Sequence, residues 1–463
     1  MKERYDIKGV YFIGIGGIGM SAIARYFRFC GVYVAGYDRS ESSITAALEQ
    51  EGCSISFKDD IDSIPVIFRK PSEKERVLIV YTPAIPPENM IISWFRANEY
   101  PLRKRSEVLG EISLKTCTLA VSGTHGKTTV STMLAHILKQ SSQGCSAFLG
   151  GISKNYNSNF LTGESMYTVM EADEYDRSFH TLSPGMAVVT AMDADHLDIY
   201  GTHQAMIDAY NEFFTKIRKG GTLVINEKIT GQVMIPQWVM GVTYGFNDGS
   251  DYRAYNIIQE NDSFRFDLET PGENITGIIF SFPGRVNIEN AVAASSMALL
   301  CGVTTTELKG ALLTFMGVQR RFDIRINRPG LVYIDDYAHH PEEIRACITS
   351  VREYYGKRKI TGIFQPHLFS RTRDHADGFA RILDMLDEII LLPIYPAREK
   401  PIEGVSSSMI LERMKNRNKR LLDKKDIPAK LDIEGLDVLL TIGAGDIDRL
   451  VKPIEDELNR RRK

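Results

Sequence analysis

Residues 119–129 read LAVSGTHGKTT, and the second half of that run carries residue types that can act on a polyphosphate. Gly123, Thr124, His125 and Gly126 form a loop of small residues whose backbone N–H groups can wrap phosphate oxygens. Lys127 can reach the terminal phosphates, the Thr128 hydroxyl can ligate Mg²⁺, and Thr129 follows at the helix start. The spacing departs from the usual phosphate loop, because Val121 stands where the first glycine belongs and the nearer glycine is Gly123. G-K-T alone also suits an ordinary tight turn. The context favours phosphate: the apolar run 119–121 reads as a strand, and Val130, Met133, Leu134, Ile137 and Leu138 recur at helical spacing. The chemistry implied is use of the γ-phosphate of ATP.

Two more strands deliver acids to the same sheet edge. Residues 167–170 run into Glu171, Asp173, Glu174 and Asp176, and residues 187–191 run into Asp193, Asp195, His196 and Asp198. Mg²⁺ takes oxygen ligands and keeps only one or two protein carboxylates, which makes Glu171 a candidate ligand. His196 has two readings, a metal-side residue or a strand-end cap beside Asp195 and Asp198.

Near the start, strand 9–15 runs into Gly14-Ile15-Gly16-Gly17-Ile18-Gly19, then into an apolar helix from Met20 and Ser21 to Phe29. A second strand, 32–37, ends in Asp38. This G-x-G-x-x-G with a following acid is the dinucleotide fingerprint, the acid placed for a ribose hydroxyl. Its physics asks only for a pyrophosphate on a helix N-terminus, and a nucleotide sugar carries one too. An NAD(P)-linked dehydrogenase is therefore one reading, although it leaves the second phosphate loop and its acids unexplained. Val77–Tyr81 then leads into Thr82 and a proline-rich loop.

Further on, residues 242–282 alternate in short runs around Gly249, Asn261 and Gly272, as an antiparallel appendage does. Asn287 lies where a helix running to Leu300 begins. Its amide can donate and accept at once, as an adenine edge requires, or serve as an N-cap. Met206, Tyr210, Phe213, Phe214 and Ile217 form a core-facing helix stripe. In the last third, residues 331–334 end in Asp335-Asp336-Tyr337-Ala338-His339-His340-Pro341. Ile360–Phe364 ends in a cluster with His367, Arg371 and Arg373, and Val438–Ile442 ends in Gly443-Ala444-Gly445-Asp446. Three polar strand ends are what a site at a sheet's carboxyl edge needs. His339 and His340 read as site residues or as turn residues before Pro341. Arg371 and Arg373 read as a carboxylate clamp or as a solvated helix face.

The chain has 463 residues, room for about three domains. A net charge of −3 and a pI near 6.4 give no footprint for nucleic acid. Six cysteines lack CxxC or metal-ligand spacing, which points to a reducing compartment. The N-terminus is no signal peptide, no apolar run approaches a membrane span, and the basic residues 460–463 read as a solvated terminus. A cytoplasmic protein, monomer or homodimer, is expected.

In order, GIGGIGMS, GTHGKTT, EADE, DADH, NIEN, QRRFD, DDYAHHP and QPHLFSRTRD resemble the motifs of the Mur ligases of peptidoglycan synthesis, and the resemblance covers essentially the whole chain. It implies an α/β chain of three domains: a Rossmann-like domain for a UDP-sugar (1–112), a central ATPase domain with a parallel sheet plus a small antiparallel sheet (113–320), and a Rossmann-like domain for an amino acid (321–463). It implies ATP-dependent joining of L-alanine to UDP-N-acetylmuramate through an acyl phosphate. The alternative is the recycling branch, which attaches a whole cell-wall tripeptide. By the same resemblance Lys127 holds the β- and γ-phosphates, Thr128 and Glu171 hold one Mg²⁺, and His196 holds a second. Asn287 and Asn290 take the adenine side, and Arg321 and Asp336 bring the third domain to ATP. Tyr337, His339 and Arg371 serve the amino acid, with His339 as proton acceptor. Gly14, Gly16, Gly17, Gly19, Met20, Ser21, Asp38 and Thr82 form the UDP-sugar site. Lys127→Ala is expected to abolish turnover and leave the fold intact. Three positions depart from the family pattern: Val286 replaces a His, Leu368 replaces an Arg, and Asn211 stands where several sister ligases carry a carbamylated Lys.

Overall fold

The computed structural model describes residues 6–260, 263–397, 399–427 and 429–461. Asn261, expected at a turn, and the basic residues 462 and 463 lie outside them. Three sheets carry the architecture.

The first contains β1 (Gly9–Ile13), β2 (Tyr33–Tyr37), β3 (Ser54–Ser56), β4 (Val77–Tyr81) and β5 (Leu102–Lys104), all parallel in the order β3-β2-β1-β4-β5. β1 is buried along its whole length, as a parallel strand covered on both faces must be. The order reverses at β1, so a crevice opens at its carboxyl end between the loops after β2 and β4.

The second sheet is built from β6 (Cys117–Ser122), β7 (Ser146–Ser153), β8 (Ser158–Leu161), β9 (Tyr167–Glu171), β10 (Met186–Val189), β11 (Thr222–Asn226), β12 (Met240–Gly245), β13 (Tyr252–Glu260), β14 (Ser263–Glu269) and β15 (Ile275–Phe280). Its order is β15-β14-β13-β12-β11-β10-β6-β9-β7-β8. β6 lies between β9 and β10, parallel to both. The antiparallel strands β13 to β15 form the expected antiparallel appendage, and they join the main sheet through β12. Two backbone pairings, Tyr244 with Tyr252 and Gly245 with Arg253, make the join.

The third sheet comprises β16 (Asp323–Arg328), β17 (Leu331–Asp336), β18 (Ile360–Phe364), β19 (Glu388–Leu391), β20 (Lys419–Leu421) and β21 (Val438–Ile442), in the order β16-β17-β21-β18-β19-β20. Only β16 is antiparallel. β17, β21 and β18, the three strands with polar ends, are neighbours.

The chain divides into two compact units, residues 1–281 with 288–316 and residues 282–287 with 317–463. The first and second sheets share one unit because they share one core: Phe12, Phe27 and Val34 belong to the same apolar cluster as Phe148, Phe160 and Met170. A buried polar clasp reinforces it. Asn159 of β8 donates to Ile18 O (2.6 Å) and Ser21 Oγ (2.9 Å) and accepts from Arg25. Each such bond contributes about 1 kcal/mol, and an orphaned partner would cost more. The helix stripe Met206, Tyr210, Phe213, Phe214 and Ile217 is buried as expected. All six cysteines are free thiols, and no helix among the described residues is long and apolar enough to cross a membrane.

Candidate active site

At the crevice of the first sheet, Gly14 takes φ +89°, and a Cβ there would lie 2.8 Å from the Thr82 methyl. The Gly16 N–H donates to Asp38 Oδ2 at 2.8 Å. The loop, Asp38 and Thr82 therefore meet at one edge. Gly17 caps the helix Ile18–Phe29 without a side chain, leaving its amides for a ligand. Met20 and Ser21, expected in this site, are buried, and the Ser21 hydroxyl is spent on Ile18 O and Asn159. Ser21 ties the helix to the second sheet through Asn159, while the Met20 side chain lies against the loop, its Cγ 3.7 Å from where a Gly17 Cβ would be. The motif reading passes over Arg105. Its guanidinium lies so close to Gly19 that a Cβ there would be 3.0 Å from Nη1, and it faces Asp173 Oδ2 at 3.5 Å.

On the second sheet, β6 delivers the phosphate loop, β9 delivers Glu171 and β10 delivers His196 to one edge. Gly123 (φ +127°) and Gly126 (φ +80°) adopt backbone that a side chain resists, and Asn290 Oδ1 sits 2.8 Å from where a Gly126 Cβ would be. Asn290 thereby joins the loop. The loop is tied to the β10 edge by Thr124 N–H on Ala191 O (3.0 Å) and by Asp193 N–H on Thr124 Oγ1 (3.1 Å), while the Thr190 hydroxyl donates to His125 O. His125 itself faces Asp193 at 3.5 Å. The helix Lys127–Lys139 starts at the loop. Thr128 and Thr129 are buried in its first turn.

Lys127 Nζ donates to Gly123 O and to Glu174 Oε1, each at 2.7 Å. Burial pulls its pKa down, but Glu174, Asp173 and Glu171 outweigh burial, and the net shift is upward. It stays an ammonium. The Thr128 hydroxyl donates to Glu171 Oε1 at 3.1 Å, and Gly150 N–H holds the other carboxylate oxygen at 3.1 Å. A hydroxyl and a carboxylate side by side at the loop's helix are the oxygen donors Mg²⁺ prefers, so these residues fit one ion. His196 has left-handed backbone (φ +51°), and its Nε2 lies 3.7 Å from Asp195 and 3.8 Å from Glu174. Among the described residues, no three His, Cys, Asp or Glu side chains gather into a metal site on their own.

Asn287 is not the cap of its helix. The helix begins at Arg285, and the Asn287 amide donates back to Pro283 O at 2.5 Å.

In the second compact unit, Asp336 at the end of β17 gives one oxygen to Phe322 N–H (2.7 Å) and the other to Ala338 N–H (2.8 Å), fixing both flanking turns. Burial raises its pKa. Arg320 and Arg321 lie over the Tyr337 ring at 5.1 and 4.9 Å. His339 Nδ1 faces two acceptors, Tyr337 O at 3.1 Å and Glu343 Oε2 at 3.3 Å, so Nδ1 carries the proton and Nε2 keeps its lone pair. Burial lowers the His339 pKa, and Arg371 and Arg321 add to it against Glu343. Arg371 is thus within electrostatic reach of the imidazole. Arg373 is exposed and paired with its neighbour Asp374 at 2.7 Å. His367, which the motif reading left without a role, packs against His339 (6.0 Å between ring centroids) and stacks on Tyr395 (5.7 Å).

A phosphate loop, a lysine ammonium, a threonine–glutamate oxygen pair and a glycine-rich cradle on an adjoining parallel sheet define a multidomain α/β protein that handles nucleotide phosphates. Family models match along nearly all of it: Mur ligase family, catalytic domain, over residues 9–116; Mur ligase middle domain over 121–298; and Mur ligase, glutamate ligase domain, over 320–445. A UDP-N-acetylmuramate--L-alanine ligase of Porphyromonas gingivalis is 50% identical over 98% of this chain and 99% of its own. The crystal structure of a UDP-N-acetylmuramate-alanine ligase from Thermotoga maritima superposes with a TM-score of 0.82 at 27% identity, covering 98% of this chain and 99% of that one. A murein peptide ligase from Psychrobacter arcticus shares the fold, with a TM-score of 0.69 at 20% identity over 97% and 98% of the two chains. The chain belongs to the Mur ligase family, ATP-dependent enzymes that form amide bonds.

Proposed function

We propose that this enzyme joins L-alanine to the lactyl carboxylate of UDP-N-acetylmuramate in the cytoplasm, as a monomer or homodimer, with ATP becoming ADP and phosphate. The observation that carries the reading is the convergence of Lys127, Thr128, Glu171 and His196 on one sheet edge, in a chain half identical to an alanine ligase over its whole length. The recycling alternative has a fold-level likeness only. Residues 1–112 hold the UDP-sugar, 113–320 the ATP, and 321–463 the amino acid.

A carboxylate cannot be attacked directly, because oxide would have to leave. An oxygen of the sugar's carboxylate therefore attacks the γ-phosphorus, the bond to the β-phosphate oxygen breaks, and an acyl phosphate forms as ADP departs. That transfer needs positioning and charge neutralisation more than covalent help. Lys127 supplies an ammonium to the β- and γ-phosphates and the Gly126 amide region supplies N–H donors. Mg²⁺, held by Thr128 and Glu171, with a second ion beside His196, adds neutralising charge when bound. Asn287 and Asn290 take the adenine side. In the second step the alanine nitrogen attacks the acyl carbon, phosphate leaves, and the amine proton passes to His339 Nε2, which its lowered pKa keeps unprotonated near neutrality. Tyr337 and Arg371 orient the amino acid, and Arg321 and Asp336 support the ATP side.

The test is ATP-dependent phosphate release with UDP-N-acetylmuramate and L-alanine, glycine, L-serine or the cell-wall tripeptide, with product masses. Release requiring the sugar and L-alanine, with the alanyl adduct found, is expected. Activity with the tripeptide alone would move the chain to the recycling branch, and inactivity with every acceptor would refute the sugar substrate.

A further inference from the structure

One buried charge beside the phosphate loop has no part in the mechanism above. The Glu174 side chain is 1% exposed, and its Oε1 accepts from Lys127 at 2.7 Å while facing His196 Nε2 at 3.8 Å. Its Oε2 is buried too. The residue is fixed in place: the Tyr200 hydroxyl donates to its backbone carbonyl at 2.6 Å, and the chain turns away through two consecutive left-handed residues, Asp176 and Arg177. Strained backbone of this kind persists where the surroundings force it. The Tyr210 hydroxyl is buried as well, and burial, the Glu174 charge and a side-chain hydrogen bond with Glu174 push its pKa well above the usual value.

We propose that Glu174 is the positioning residue of the phosphate loop, holding the Lys127 ammonium over Gly123 while the loop is without nucleotide and yielding it to the phosphates when nucleotide binds. The proposal rests on the phosphate-loop reading above. An ammonium buried with no counter-charge would be costly, so the lysine must be parked on a carboxylate. That carboxylate then competes with the phosphates for the same cation. The competition weakens nucleotide binding, eases the departure of ADP, and leaves Lys127 aimed from a fixed side.

The test is ADP affinity by titration calorimetry in magnesium buffer, with no sugar nucleotide or amino acid, on the full chain. Glu174→Gln keeps the shape and removes the charge, and it is expected to bind ADP about tenfold more tightly while kcat in the complete reaction falls. Glu174→Asp, which withdraws the carboxylate by one methylene, is expected to fall between wild type and Glu174→Gln. In a Lys127→Gln background the tightening should vanish, because the competition has no object. A purely structural glutamate would weaken ADP binding in both variants in step with lost melting temperature, and that result, or unchanged affinity, would overturn the proposal. Failure of the wild-type chain to bind ADP would instead overturn the phosphate-loop reading itself.

Discussion

His136 lies on the same helix as Lys127 and Thr128, nine residues further along, and is 1% exposed. Its Nε2 faces Ala311 O and Thr314 Oγ1, both at 3.1 Å, and its Nδ1 faces the Tyr156 hydroxyl at 3.0 Å. The carbonyl can only accept, so Nε2 carries the proton and the neutral ring pins the phosphate-loop helix to the helix Thr305–Thr314. Burial pushes the pKa from 6.5 down to about 4, the bond to Ala311 opposing in part. A base depressed on folding binds fewer protons in the native state. Stability is therefore full above pH 6.5 and declines as pH falls toward 4. At 1.36 kcal/mol per pH unit the whole effect is about 3 kcal/mol, of which about 2 kcal/mol is lost by pH 5. His136→Gln keeps an N–H for Ala311 and does not titrate. Histidine NMR titration of the ring, with denaturant unfolding of both proteins between pH 8 and pH 5, checks this. The wild type is expected to lose about 2 kcal/mol more than the variant over that range. A ring titrating near 6.5, or equal losses in the two proteins, would refute the reasoning.

Three further outcomes are expected. Lys127→Ala abolishes phosphate release and, with the fold intact, costs about 3 kcal/mol in denaturant unfolding, because it strands the buried Glu174 carboxylate. Adding Glu174→Gln restores the stability and not the turnover. Burial raises the Asp335 pKa from 3.8 to about 6 despite Arg320 and the Thr441 hydroxyl, so the native state holds the extra proton and stability falls as pH rises from about 4 to 6. The span is about 3 kcal/mol, and Asp335→Asn should flatten it in pH-dependent unfolding. Gly126→Ala places a methyl at φ +80° and 2.8 Å from Asn290 Oδ1, and is expected to weaken ADP binding at least tenfold by calorimetry.

What could be read from the sequence is what parallel strands make local. β6, β9 and β10 are apolar runs ending in chemistry, so the loop, Glu171 and His196 had to share an edge once the strands were neighbours. The same logic placed Asp38 and Thr82 beside Gly14 and Gly16, and Asp336 beside the end of β21, with β18 next in the sheet. What was hidden depends on partners remote in sequence. Glu174 in E-A-D-E looks like any surface acid until Lys127, 47 residues earlier, is found on it. Ser21 reads as a sugar-site residue at a helix start until Asn159 claims the hydroxyl 138 positions away. Asn287 looked like a cap because its helix begins two residues earlier than the motif suggests. Asp336 looked free to act, yet both its oxygens hold backbone N–H groups. Arg105 had one legible clue, the absence of a side chain at Gly19, although a glycine alone does not say what fills its space.

The clasp around Asn159 bears on how this chain can be recombined. A chimera carrying residues 1–112 of another ligase would bring foreign side chains against a fully buried amide that donates to Ile18 and Ser21 and accepts from Arg25. It would also have to match the Tyr26 ring to Phe148 and Phe160, at 5.5 and 5.9 Å. The first and second sheets are thus inherited as one block. A viable crossover lies at the exposed surface of that block or moves both sheets together, and the sequence boundary between them is no place to cut.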